Sequence, residues 1–231
     1  MRSPPLTILY EDNHCLAVNK PAGVGSAHFQ GTDETLDRLA KAYLKAKYAK
    51  PGNVFLGVVH RLDKPVTGVL LFARTSKAAA RLAEQFRTAA VEKVYWAVVE
   101  GEVSGESTDL EHWLRKDPQT GTVAVLPPGT PGAKHARLRY TCRGRHGGLS
   151  WLEVRPLTGR THQLRVQLAR HGHPIYGDAR YGARHDFGPA VALHARSLTF
   201  QHPVRPEPVT LLAELPPTWR RFVPLIEGVP Q

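Results

Sequence analysis

Residues 60–75 read HRLDKPVTGVLLFART, and this stretch is the most informative part of the sequence. It places one histidine, two cations and one carboxylate within five residues, and continues through a proline and glycine turn into an apolar run. Reactive groups are often carried by loops anchored on a strand. Arg61 and Lys64 would keep Asp63 ionised, which suits a nucleophile or a base. Chemistry alone favours the alternative, a surface ion pair beside a turn, because exposed ion pairs are abundant.

Short apolar runs bounded by turn residues predict strands on both sides of this segment. The first two runs, separated by Asp12 and Asn13, are predicted to form a hairpin. Residues 127–132 read PPGTPG and are predicted to form a loop. The predicted strands are 6–10, 15–19, 69–72, 94–99, 136–142, 149–154 and 197–200.

Apolar residues at helical spacing predict three helices. Thr35 or Asp33 can cap the first helix, Thr75 can cap the second, and Gly172 can end the third in the left-handed conformation. The predicted helices cover 36–44, 78–90 and the region of 164–168. Strands mixed with isolated helices favour an α+β fold over alternating βαβ units.

The composition indicates a folded protein that attracts polyanions. The 231 residues carry a formal net charge of +11, and nucleic acid is the commonest cytosolic polyanion. A generally basic proteome is the alternative. Two distant cysteines indicate a reducing compartment, the cytoplasm. Residues 1–5 do not resemble a secretory signal, and no apolar run is long enough to cross a bilayer.

The 60–75 segment resembles the active-site motif of the RluA-type pseudouridine synthases. That motif has His-Arg-Leu-Asp, two variable residues, Thr-Ser-Gly and an apolar strand; here Val66, Thr67 and Gly68 stand where Thr-Ser-Gly is usual. The resemblance extends from about residue 8 to residue 212 and rests on further segments in the expected order. These are 19–23 (NKPAG), 92–101 (EKVYWAVVEG), 157–165 (LTGRTHQLR), 172–182 (GHPIYGDARYG) and 193–195 (LHA).

The resemblance implies the pseudouridine synthase α+β fold, a large and mostly antiparallel mixed sheet flanked by helices and loops. It predicts a single catalytic domain over residues 1–231, with a core of about 6–225 and no separate N-terminal RNA-binding module. It also implies a reaction that needs no metal or organic cofactor. RNA is the expected partner, with no membrane and no obligate protein partner.

The function implied is isomerisation of a specific uridine in structured rRNA or tRNA to pseudouridine. The target must be flipped out of the base stack. Asp63 would attack the flipped nucleotide or otherwise drive glycosidic cleavage. Tyr95 would lie against the uracil, the alternative being a core tyrosine. Arg165 would pair with Asp63, the alternative being a solvated charge on a helix.

The remaining candidates would bind RNA or shape the pocket. By its position in the motif, Arg61 would enter the RNA and occupy the space of the displaced base, the alternatives being a phosphate contact or a surface arginine. Lysines of the first helix and the residues after it are candidates for phosphate contacts, although a solvated face is equally plausible. The other RNA-binding candidates are His60, Lys64, Arg160, His162 and Gln163; the lysines are Lys41, Lys45, Lys47 and Lys50.

Two other functions compete with this one. A catalytically silent RNA-binding or RNA-folding protein on the same fold predicts damage at Asp63, Tyr95 or Arg165, and all three are intact. A metal-dependent hydrolase requires a cluster of ligands. The histidines at 162, 171 and 173 lack a paired carboxylate or cysteine set, so a metal site is not predicted there.

Overall fold

The computed structural model describes residues 6–27 and 34–226 and divides the chain into two compact units. The first unit comprises Met1–Lys93 and Ala195–Leu215, and the second comprises Val94–His194 and Pro216–Gln231. Among the described residues, no helix combines the length and the apolar character needed to cross a membrane.

Strands predominate among the described elements, and helices lie between some of them. The helices are α1 (Leu36–Lys47), α2 (Ser76–Arg87), α3 (Gln163–Arg170) and α4 (Val223–Ile226), with 3-10 helices at Ala179–Tyr181 and Pro217–Phe222. The strands are β1 (Thr7–Glu11), β2 (Cys15–Lys20), β3 (Gly57–Val58), β4 (Thr67–Ala73), β5 (Glu92–Glu100), β6 (Ser107–Lys116), β7 (Val123–Leu126), β8 (Lys134–His146), β9 (Leu149–Pro156), β10 (Leu193–Gln201) and β11 (Pro208–Leu212).

The first unit is organised around β4, all seven residues of which are buried. The strand order is β1-β2-β4-β10, with β3 paired to β4 and β11 paired to β10. Alternate residues Val69, Leu71 and Ala73 share a core with Ala78 and Leu82 of α2. Because both faces of β4 are covered, its sequence is a continuous apolar run without polar alternation.

The second unit is an antiparallel sheet in the order β5-β9-β8-β6-β7. Val166 of α3 packs against Leu114, Val123 and Ala136 on this sheet. The helix that carries Arg165 is therefore fixed by the inward-facing residues of β6, β7 and β8.

The structure confirms the α+β class and the predicted strands, most of which extend further than predicted. The predicted hairpin is present as the antiparallel pair β1–β2, and the 127–132 loop joins β7 to β8. Strands β3, β6, β7 and β11 were not predicted. In β6, buried Leu110 and Leu114 alternate with exposed Asp109, Glu111 and Arg115, a half-buried pattern that its charged residues obscure.

The helix boundaries are confirmed with small corrections. The hydroxyl of Thr75 accepts the N–H of Ala78 as predicted, but α2 ends at Arg87 and not at Ala90. Thr35 occupies the N-cap position of α1 without a side-chain cap bond; Asp33 lies outside the described residues. Gly172 follows α3 with φ of 91°, in the predicted left-handed conformation.

We expect Gly68→Ala to destabilise the first unit. Gly68 has φ of +112°, and a Cβ at this position would overlap the backbone of Ala195. Backbone strain and overlap together should lower the free energy of unfolding by about 2–3 kcal/mol, as measured by urea denaturation. Gly52→Ala is the control because nothing lies within 4 Å of its added Cβ. Equal stability of the two variants would contradict the prediction.

Candidate active site

A buried lysine, Lys20, holds the loop that carries Asp63 through hydrogen bonds. Lys20 is 0% exposed, and its Nζ donates to the carbonyls of Pro21 at 2.9 Å, Lys64 at 3.0 Å and Val66 at 2.7 Å. The N–H of Val66 donates to the carbonyl of Asp63 at 3.0 Å and closes a turn. The backbone from Asp63 to Val66 is thus tied into one hydrogen-bonded unit.

A serine holds the other side of the same loop. The Ser26 hydroxyl donates to the carbonyl of Leu62 at 2.6 Å and accepts the N–H of Leu62 at 3.0 Å. Both backbone polar groups of the residue before Asp63 are therefore satisfied by one buried side chain. A loop held in this way keeps its reactive group in a defined position.

Lys20 also acts electrostatically on this loop. Burial lowers the pKa of Lys20 to about 7, and the negative charge of Asp63 opposes that shift. Arg61 and Lys64, the cations proposed from sequence to hold Asp63 ionised, are exposed, whereas Lys20 is enclosed. Sequence reasoning missed this role, although the NKPAG segment at 19–23 was among the quoted resemblances.

His60 has a structural role in the first unit. Its Nε2 accepts the N–H of Leu71 at 2.9 Å, and its ring stacks on Phe86 at 4.5 Å with an interplanar angle of 14°. Burial, assisted by the positive charge of Lys93, lowers the pKa of His60 to about 3. A neutral, stacked imidazole that accepts a backbone hydrogen bond is better suited to shaping the loop than to binding phosphate.

In the second unit, Arg165 of α3 forms a buried ion pair with Asp178. The Nε and Nη2 atoms of Arg165 lie 2.6 and 2.8 Å from the two carboxylate oxygens, and the side chains are 6% and 1% exposed. The guanidinium group also lies over the ring of Tyr181, 5.2 Å from its centroid. Asp178 and Tyr181, which belong to the quoted 172–182 segment, thus orient Arg165; sequence reasoning gave them no role.

The turn before α3 and the first residue of that helix contain three of the predicted RNA-binding residues, Arg160, His162 and Gln163. Gln163 is buried; its Oε1 accepts from the Thr158 hydroxyl and the Arg160 N–H, and its Nε2 donates to the carbonyl of Arg137. His162 has left-handed φ of 51°, and its Nδ1 lies 2.7 Å from the Tyr181 hydroxyl. Arg160 is exposed. Gln163 therefore stabilises the turn, while the exposed Arg160 donates from its Nε to the carbonyl of His135 at 2.9 Å.

Tyr95 lies on β5, directly opposite Val154 of β9, and is half-buried. Strand alternation places its neighbour Trp96 on the opposite face, where Trp96 meets Trp151 edge-on at 4.7 Å. The structure thus groups Asp63 with Lys20 and Ser26 in the first unit, and Arg165 with Asp178 and Tyr181 in the second unit. Tyr95 also belongs to the second unit.

Among the described residues, one group has metal-ligand character: Asp12, Cys15 and His202. The Asp12 carboxylate already accepts from His202 Nε2 at 2.8 Å and Arg205 at 3.2 Å. The other ring nitrogen of His202 accepts the N–H of Arg205 at 2.9 Å. Burial and the charge of Asp12 raise the pKa of the Cys15 thiol to about 12. Saturated hydrogen bonding, a neutral thiol and an adjacent guanidinium make this a structural network.

We expect the Lys20→Met substitution to change how stability depends on pH. The unfolded chain binds a proton at Lys20 up to pH ~10.4, whereas the folded chain releases it near pH 7. Lys20 therefore makes the free energy of unfolding rise between these values, and Lys20→Met should flatten this rise.

Urea unfolding at pH 7 and at pH 9.5 checks this expectation. Lys77→Met, at an exposed position on α2, is the matched control and should retain the wild-type pH dependence. An unchanged pH dependence in Lys20→Met would contradict the argument.

Asp178→Asn tests the buried ion pair. Removing one charge leaves the Arg165 guanidinium buried without its carboxylate, so the free energy of unfolding should fall by about 3 kcal/mol. The control is Asp109→Asn, because Asp109 pairs with Arg139 in the same two-bond geometry but at 51% and 61% side-chain exposure. That exposed pair should contribute far less, because water screens it. Equal losses of unfolding free energy in the two variants would show that burial does not determine the strength of the ion pair.

Comparison with known proteins gives a consistent family assignment. A family model described as RNA pseudouridylate synthase matches residues 14–170. Ribosomal large subunit pseudouridine synthase D of Xylella fastidiosa is 37% identical over 92% of this chain and 66% of its own length. Ribosomal large subunit pseudouridine synthase C of Vibrio vulnificus is 34% identical over 90% of this chain and 65% of its own length. The chain thus spans about two thirds of these relatives.

Solved structures agree on the fold. The human RNA pseudouridylate synthase domain containing 4 protein has a TM-score of 0.78 at 24% identity, covering 96% of this chain and 93% of that chain. The human domain containing 1 protein has a TM-score of 0.73 at 28% identity, covering 94% of this chain and 87% of that chain. The chain therefore belongs to the RNA pseudouridylate synthase family, enzymes that form pseudouridine in RNA.

Proposed function

We propose that this protein isomerises a specific uridine in structured ribosomal RNA to pseudouridine, with Asp63 as the catalytic carboxylate. The observation that carries the proposal is the Asp63 loop, which Lys20 and Ser26 hold through four hydrogen bonds to Leu62, Lys64 and Val66. The relatives named as ribosomal large subunit enzymes favour rRNA over tRNA. The protein would act in the cytoplasm on RNA alone.

The reaction breaks the C1′–N1 glycosidic bond and forms a C1′–C5 bond. The uracil rotates between these steps, C5 loses a proton and N1 gains one, so atoms and charge balance and no redox partner is needed. Asp63 either attacks the sugar or drives cleavage through an elimination intermediate. Both routes need an ionised carboxylate at a fixed position, which the rigid backbone around Asp63 supports.

Arg165 and Tyr95 complete the proposed centre. Arg165 would pair with Asp63 and keep it ionised, while Asp178 and Tyr181 fix the direction of its guanidinium. Tyr95 would lie against the flipped uracil, because an aromatic face suits base stacking. Its half-buried position on β5 supports this role over that of a core tyrosine.

The remaining basic candidates are assigned to the RNA; Arg61, Lys64 and Arg160 are exposed, and His162 is half-buried. Arg61 would fill the space that the flipped base leaves, and Lys64, Arg160 and His162 would contact the backbone near the target. His60 and Gln163 are not retained as RNA ligands, since their polar atoms bond to the backbone and to the adjacent turn.

Mapping pseudouridine in cellular RNA tests the proposal. RNA from cells with the wild-type protein, with Asp63→Ala and without the protein is compared. Because Asp63 is the reactive carboxylate, one rRNA site should lose pseudouridine in both altered strains. Purified wild-type protein should restore that site in RNA from the deleted strain, and Asp63→Ala should be slower by at least ~10⁴-fold.

Asp109→Ala is the matched control, since it removes an exposed carboxylate from the second unit and should leave the site fully modified. Full modification by Asp63→Ala would remove Asp63 from the chemistry. If no site responds to deletion and the purified protein modifies no RNA, the catalytically silent RNA-binding protein replaces the proposed enzyme.

A further inference from the structure

A basic cavity of about 390 Å³ lies beside α1 in the first unit. Two lysines of the helix and a short segment after it form its walls, so two basic residues, an asparagine and a glycine line one space. The lining residues are Lys41, Ala42, Lys45, Gly52, Asn53 and Val54. The role proposed for Asp63 makes no use of this cavity.

The structure separates the lysines of this region by what they contact. The Nζ of Lys47 lies 2.8 Å from Glu11, whose side chain is 9% exposed, and this lysine is tied to the first strand. Lys41 is 42% exposed and lies 3.6 Å from Asp37, one helical turn away; exposed pairs of this kind are weak. Among the residues that the structure describes, Lys45 is exposed and has no carboxylate within 4 Å.

The cavity is linked to the Asp63 loop through the start of α1. The N–H of Leu36 donates to the carbonyl of Gly25 at 2.9 Å, and the next residue, Ser26, holds Leu62. At 1.5 Å per residue, Lys41 and Lys45 lie roughly 8 and 14 Å along the helix from that junction. The cavity is therefore within a few nucleotides of the proposed reactive centre.

Charge and aromatic exposure favour RNA as the occupant. Residues 38–62 contain six lysines and arginines and no aspartate or glutamate. Carboxylates outside the segment, Asp37 and Glu11, lie near only Lys41 and Lys47 among its lysines, so the segment keeps a net positive charge. Phe55 follows the cavity and is 51% exposed. Cationic walls with an exposed aromatic ring beside them are the combination that binds unpaired nucleic acid.

We propose that this cavity binds a backbone phosphate of the RNA a few nucleotides from the target uridine. Lys41 and Lys45 provide the charge, the Asn53 amide donates a hydrogen bond, and Phe55 stacks an unpaired base. The inference rests on the proposed function and adds to it a contact that sets the register of the RNA without reading its sequence.

The test measures binding of a fluorescein-labelled stem-loop RNA with unpaired uridines. The double variant Lys41→Gln/Lys45→Gln should raise the Kd by roughly fivefold to tenfold and lower the slope of log Kd against log salt by about one to two. The control Lys77→Gln/Lys116→Gln removes the same charge from exposed positions on α2 and β6 and should change both quantities much less. Phe55→Ala should weaken binding of the stem-loop but not of a duplex of equal length.

The same samples separate the two proposals. Wild-type protein that forms no pseudouridine, but whose RNA binding depends on Lys41 and Lys45, would refute the activity and support the phosphate site. Pseudouridine formation together with equal Kd and salt slope in both double variants would overturn the phosphate site and leave the activity intact. Loss of kcat at saturating RNA in Lys41→Gln/Lys45→Gln, with Kd unchanged, would also overturn it.

Discussion

The buried ammonium group of Lys20 organises the loop on which the proposed chemistry depends. Two of its three carbonyl partners, Lys64 and Val66, follow Asp63 in the same loop, and pairing of β2 with β4 brings Lys20 opposite Gly68. The register of the sheet thus places the Lys20 ammonium group next to the loop that carries Asp63. In a low-dielectric interior each of these bonds is stronger than in water, and the loss of any one leaves a costly unpaired group.

Burial, more than hydrogen-bond geometry, determines whether an ion pair is strong enough to hold a side chain in one orientation. Arg165–Asp178 and Arg139–Asp109 have nearly the same two-bond geometry. The first is enclosed and the second is open to solvent, so water screens only the second. The buried ion pair with Asp178 therefore holds the Arg165 guanidinium in one orientation.

Local pattern was sufficient for some features and insufficient for others. The continuous apolar run of β4 and the motif before it were readable because their residues are adjacent in sequence. Strand β6 was missed because charged residues alternate with only two buried leucines. The roles of Lys20 and Asp178 depend on partners 46 and 13 residues away, and no local pattern carries that information.

The same limit applies to the histidine and glutamine candidates. Their residue types suggested RNA contacts, but His60 and Gln163 use their polar atoms in hydrogen bonds to backbone groups of the protein itself. Whether a polar side chain binds a ligand depends on which partners the fold has already supplied. That can be counted only once the backbone is placed.

The total charge of +11 therefore says less about RNA binding than the distribution of that charge does. Cations such as Arg139 and Arg165 are matched by carboxylates, whereas residues 38–62 contain no aspartate or glutamate, and Lys45 in that segment has no carboxylate within 4 Å among the residues that the structure describes. Attraction concentrates where the field is uncompensated, and contacts to phosphate fix orientation without reading bases. Choice of the uridine must then come from the shape of the RNA and from contacts close to Asp63, where one nucleotide has to leave the stack.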